Sequence, residues 1–87
     1  MRNLGPKTAS WLRVVGIESQ DDLAAAGAVE AWVRLRDAGF RPSRLALWAM
    51  QGALLDIDWR DLPDEMKEQL LTEVDRLERA GSRRVYE

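Results

Sequence analysis

The chain has 87 residues, with 13 Lys+Arg against 15 Asp+Glu, no His, no Cys and a net charge of −2. That length suits one domain, burying roughly 60–65% of its unfolded surface. Without thiols or imidazoles, a disulfide framework, a thiolate zinc site and histidine-based catalysis are all excluded.

The punctuation along the chain predicts helices throughout. Gly5-Pro6 opens the first, because proline suits the first helical position. Ala9, Leu12 and Val15 form its apolar stripe, widened by Trp11 and Val14, and Gly16 closes it in the left-handed position with Ile17 following as an apolar contact. Ser19, with Asp22 three residues on, predicts a capped start for a short second helix ending at Ala26. Gly27 separates it from a third helix that begins at Ala28 and ends at Gly39. Phe40-Arg41-Pro42 cannot continue that helix, and Ser43 is the expected N-cap of a fourth helix running to about Leu55. The fourth is apolar nearly all round, which predicts a place at the centre of the bundle, and Gly52 in its interior predicts a close helix contact.

Pro63 then starts the last helix, with Met66, Leu70, Val74 and Leu77 in one stripe and Leu71 beside it. Gly81 is the expected stop, leaving residues 82–87 as a loose tail and residues 1–81 as one domain. The predicted fold is all-α, a compact bundle of about five helices. Its expected core comprises Leu12, Trp32, Leu35, Leu47, Trp48, Leu54, Leu70 and Val74, so that Trp48→Ala should cost about 3–5 kcal/mol. No apolar stretch approaches the roughly 20 residues of a membrane span, and the N-terminus lacks the apolar segment of a signal peptide. A cytoplasmic location without membrane contact is the expectation.

The net charge conceals an asymmetry. Residues 1–44 carry seven basic and five acidic side chains, whereas residues 45–87 carry six basic and ten acidic. Any contact with an anion therefore belongs to the first half. The tightest acidic group, Asp56, Asp58, Asp61, Asp64 and Glu65, starts like a calcium loop. Its sixth position is Asp61 where that loop needs Gly, and its twelfth is Lys67 where it needs Glu. Capping at a helix junction accounts for these acids, so no metal site, cofactor, catalytic residue or small-molecule substrate is expected.

The stretch Asn3-Leu4-Gly5-Pro6-Lys7-Thr8 carries the clearest binding chemistry. A turn running straight into a helix leaves free backbone N–H groups at its positive end, to which Lys7 adds charge and Thr8 a hydroxyl. Arg2, Asn3, Gly5, Lys7, Thr8 and Arg13 are thus candidate phosphate contacts that read no base, in the manner of helix-hairpin-helix modules.

Asn3-Leu4-Gly5-Pro6-Lys7, Trp11-Leu12, Val15-Gly16-Ile17, Asp22-Leu23, Gly27-Ala28-Val29-Glu30-Ala31 and Leu35 resemble the C-terminal domain of the TfoX/Sxy competence regulators. The likeness continues through Leu45, Leu47, Ala49, Gly52-Ala53-Leu54, Trp59, Leu62 and Pro63, covering about residues 3 to 71. The resemblance implies a compact domain related to helix-hairpin-helix modules. It also implies a non-enzymatic role in regulating DNA-uptake genes alongside the cyclic-AMP receptor protein. Full-length members carry an N-terminal domain ahead of this one, so the chain is expected to be a stand-alone version or an excised domain. At the second hairpin, Ala26-Gly27-Ala28-Val29, Glu30 stands where a phosphate contact prefers a basic or neutral residue.

Two functional readings stay open. One is a module that supports transcription through a protein partner or a homodimer, using the amphipathic last helix from Glu68 to Arg79 or the Trp59 region. The other is a weak, non-specific binder of the DNA backbone. Acidity, with a pI near 5.2, favours the first.

Overall fold

In a computed structural model, the backbone of residues 4–86 and the side chains of residues 4–79 are described. The chain folds as five α-helices: α1 (Pro6–Val14), α2 (Gln20–Ala26), α3 (Ala28–Asp37), α4 (Arg44–Leu55) and α5 (Asp64–Tyr86), with a 3-10 turn at Trp59–Asp61 between the last two. Arg2 and Asn3 lie outside the described residues, as do the side chains of the expected tail.

The helix starts follow local chemistry. Pro6 occupies the first turn of α1 behind the extended Gly5. Ser19 Oγ accepts from the Asp22 N–H at 3.1 Å, while the Asp22 carboxylate accepts from the Glu18 N–H at 3.0 Å. This is a capping box displaced by one residue, and it satisfies two donors at the head of α2. Ser43 caps one donor at the head of α4, its Oγ accepting from the Ala46 N–H at 3.2 Å.

Three helices end in one way. After α1, the Ile17 N–H donates to the Leu12 carbonyl at 2.9 Å and the Gly16 N–H to Arg13 at 3.2 Å, the paired bonds of a Schellman turn. Phe40 to Leu35 at 3.0 Å closes α3, and Ile57 to Gly52 at 2.9 Å closes α4. The third closure uses Asp56 at φ 56 where glycine is usual. Gly81 does not end α5, which continues to Tyr86. A single glycine inside a 23-residue helix costs only about 1 kcal/mol, too little to stop it.

The interior is aliphatic. Leu12, Leu23, Ala31, Leu35 and Met50 have no exposed surface, and Ile17, Leu47 and Ala53 almost none. Val74 supplies the contribution of α5, and Gly52 is buried on α4. No polar or charged side chain is buried among the described residues. Helix α3 packs against all four other helices, sharing the centre with α4.

The tryptophans correct the expected core. Trp11, Trp32, Trp48 and Trp59 are all only partly buried, as are Leu54 and Leu70. Helix α4 turns Leu47, Met50 and Ala53 inward, and Trp48 stands about 100° round from Leu47. Leu45 and Leu55, at 50% and 45% exposed, face solvent, because so small a bundle has no second layer to cover a helix on every side. Trp11, Trp32, Trp48, Leu54 and Leu70 pack against the buried cluster from its edge, and two of the rings also act as fasteners. Trp11 stacks on Phe40 with centroids 4.9 Å apart, and the Trp32 Nε1–H donates to the Ser43 carbonyl at 3.0 Å. Both hold the connection between α3 and α4.

Leu12→Ala should lower unfolding free energy by about 2–5 kcal/mol, and Trp48→Ala should lower it by less, measured in urea. Gly27, with φ 84 and ψ 156, occupies a region reserved for glycine, so Gly27→Ala should cost about 1–3 kcal/mol. No side-chain clash contributes, since an added Cβ would meet nothing within 4 Å.

Candidate functional site

At the head of α1 the backbone is open. Gly5 provides no side-chain cap, and a Cβ built on it would meet nothing within 4 Å. The Ala9 N–H returns to the Gly5 carbonyl at 3.0 Å, while the N–H groups of Lys7 and Thr8 belong to the first turn, which has no earlier carbonyl to reach. The Lys7 ammonium rests over the Trp11 ring, 5.0 Å from its centroid. Gly5, Lys7 and Thr8 are therefore brought together at one exposed helix end. Arg13 is not part of that cluster. It lies in the last turn of α1, six residues and about 9 Å along the axis from Lys7, where its charge complements the negative end of the helix.

A second feature lies where the chain passes from α2 to α3. Gly27 alone forms the junction, acting as C-cap of one helix and N-cap of the next. The resulting corner stands over α5 and leaves a groove of about 510 Å³ between Ala26–Glu30, Gln51 of α4, and Met66, Gln69, Leu70, Glu73 and Leu77 of α5. Its floor is apolar through Ala28, Val29, Met66 and Leu70. Gln51 Nε2 reaches Met66 Sδ at 3.7 Å across the base. Glu30 stands on the rim, its carboxylate accepting from Arg34 Nε at 3.3 Å.

The outer side of α5, at Glu65, Glu68, Gln69, Thr72, Glu73 and Arg76, is exposed. Among the described residues, Glu65, Glu68 and Glu73 form no ion pair. The ion pair between Arg36 Nη1 and Glu78 Oε1 at 2.9 Å ties α3 to α5 and holds the two walls in register. A second hollow, about 310 Å³, lies between Trp32, Arg44, Leu47, Leu71 and Glu78.

Near the Trp59 region, Arg60 grips Asp58 through Nε at 3.1 Å and Nη2 at 2.9 Å. The hydrogen bond to that carboxylate, and then its charge, raise the guanidinium above its ordinary value. Lys67 lies 5.8 Å from the centroid of Trp59. Among the described residues, no three acidic side chains are grouped to hold a metal ion, and no helix is long and apolar enough to cross a membrane.

The sequence had directed attention to the last helix as a partner surface but not to the corner at Gly27–Glu30 that completes it. Glu30 is the residue that argued against a phosphate at this turn. The signal available was Leu77 in the stripe of α5; in the fold it is 37% exposed and lines the groove.

Two crystal structures of Listeria monocytogenes proteins share the architecture. One, of unknown function and in a tetragonal form, is 26% identical with a TM-score of 0.80, covering 88% of this chain and 95% of its own. The other, an uncharacterised protein in a triclinic form, is 27% identical with a TM-score of 0.81, covering 90% and 89%. No curated protein matches the chain. The family model of the TfoX C-terminal domain matches residues 1–74, a span that contains α1 to α4, the Gly27 corner and the half of α5 that faces it; the chain belongs to the TfoX C-terminal domain family.

Proposed function

We propose that the chain is a protein-interaction module that supports transcriptional regulation, with competence and DNA-uptake genes as the setting suggested by the family. The observation that carries this reading is the groove between the Gly27 corner and α5. It joins an apolar floor to a polar rim, the composition of a surface that receives another macromolecule. Among the described residues no charged side chain is buried, which suits recognition at the surface. The partner acts without a cofactor supplied by this chain.

The open head of α1 supports a second reading, a weak contact with the DNA backbone through the Lys7 and Thr8 N–H groups. Charge weighs against it. The head of α2 is occupied by the carboxylate of Asp22, and Glu30 stands at the head of α3. A duplex would meet one favourable helix end and two that repel it.

The two readings separate experimentally. A tagged chain in an extract of its native host should retain a protein partner after nuclease treatment, and removing the chain should alter transcription of DNA-uptake genes. Loss of all partners with nuclease, together with unchanged transcripts, would overturn the interaction reading. For the second reading, a fluorescent duplex at low salt should bind with a salt slope of about one unit per phosphate neutralised. Gly5→Asp should then abolish binding without destabilising the fold, because Asp is a good N-cap. Absence of binding at low salt rejects that reading.

A further inference from the structure

The chain contains no cysteine, so the thiol that peroxides oxidise most readily is absent and the thioether of methionine stands next. Among the described residues the methionines are Met50 and Met66, and the fold separates them. Met50 has no exposed surface. Met66 is half-buried and lines the groove at the Gly27 corner, a space of about 510 Å³. That is many times the roughly 30 Å³ share of one water molecule, so a peroxide can enter it.

A second contact marks this sulfur. The Gln51 Nε2–H donates to Met66 Sδ at 3.7 Å, joining α4 to the first turn of α5. Thioether sulfur is a weak acceptor, whereas a sulfoxide oxygen is a strong one. The donor that such an oxygen needs is therefore already in place. The core is also spared. The buried cluster and the side chains packed on it draw Leu70, Leu71 and Val74 from α5, and Met66 stands outside that group.

We propose that Met66 is a site of reversible oxidation by hydrogen peroxide, and that its sulfoxide, received by Gln51, switches the groove from receiving a partner to rejecting it. A lone pair on Sδ attacks one peroxide oxygen. The S–O bond forms as the O–O bond breaks, and the departing hydroxide takes the proton of the transferred oxygen to leave as water. Sulfur loses two electrons and the peroxide gains them. A methionine sulfoxide reductase reverses the step with two thiols of its own, which become a disulfide while the oxygen leaves as water. The oxidised side chain is polar and chiral on a floor shared with Val29 and Leu70, so an apolar anchor loses its seat. The oxidation site stands on the burial and the Gln51 contact alone, while its effect on docking rests on the interaction reading above.

The test treats the full chain with dilute hydrogen peroxide and maps added oxygen by mass. Trypsin cuts after Arg44, Arg60 and Lys67, which puts Met50 and Met66 in different peptides, and fragment masses place each oxygen. Met66 should be oxidised about tenfold faster than Met50 or more, and sulfoxide reductases should restore it. In the isotope-labelled oxidised chain the Gln51 side-chain amide should shift, together with Val29 and Leu70, while the spectrum keeps the dispersion of a folded domain. Two folded variants carry the consequence for docking. Met66→Gln, as polar as the sulfoxide and not repairable, should lower retention of a nuclease-resistant partner by about tenfold, and Met66→Leu should keep it within about twofold. Oxidation of Met50 at a comparable rate, loss of dispersion with the first oxygen on Met66, or an unmoved Gln51 amide would overturn the oxidation site. Equal retention by the two variants would overturn the switch while leaving the interaction reading intact. If the unaltered chain retains no partner, the interaction reading falls and takes the switch with it, and the mass and amide spectra still decide the oxidation site.

Discussion

A single residue, Gly27, separates α2 from α3, and most of the architecture depends on what its backbone can do. With φ 84 and ψ 156 it combines a positive φ with an extended ψ, a conformation closed to residues with a side chain. The reversal is complete within one residue, so α3 departs directly from the end of α2 and lies in contact with every other helix. A longer connection would let α3 drift. The same residue lines the groove over α5, where an added Cβ would meet nothing within 4 Å.

Around that corner, stability comes mainly from aliphatic burial, with hydrogen bonds satisfying the helix ends. The ion pairs contribute less. Arg34 with Glu30 and Arg79 with Asp75 are exposed neighbours on one helix, a class worth a few tenths of a kcal/mol. Arg36 with Glu78 differs in joining two helices, and the Gln20 Nε2–H bond to the Ala53 carbonyl at 2.7 Å joins α2 to the last turn of α4. These cross-helix contacts set the spacing of surfaces more than they set the total stability.

Much of this was legible in the residues. Gly5-Pro6, Ser19, Ser43 and Pro63 mark helix starts by local chemistry, and Gly16 and Gly39 mark ends the same way, so the helices could be placed without tertiary information. Asp56 closing α4 in a left-handed conformation was less legible, because only the need to turn toward Ile57 and Trp59 makes it happen. Gly81 misled for the opposite reason: a glycine ends a helix only when the following residues gain by leaving it. The core was harder to read. Periodicity finds the apolar side of α4 but cannot say that Leu47, rather than Trp48, points inward when both neighbours are apolar. The partner surface was half legible, since the stripe of α5 can be read from its spacing, whereas its meeting with Val29 and Glu30 is a product of the fold.

The displaced tryptophans have an optical consequence. Each partly solvated indole has its own surroundings: Trp11 against Phe40, Trp32 at Ser43, Trp48 on α4 at the edge of the buried cluster, and Trp59 ahead of α5 near Lys67. Emission from such rings tracks the polarity of their borders, and Trp11, Trp32 and Trp48 also touch the aliphatic centre. With three of the four replaced by Phe, the remaining ring becomes a local gauge, and these surroundings can be watched opening one at a time.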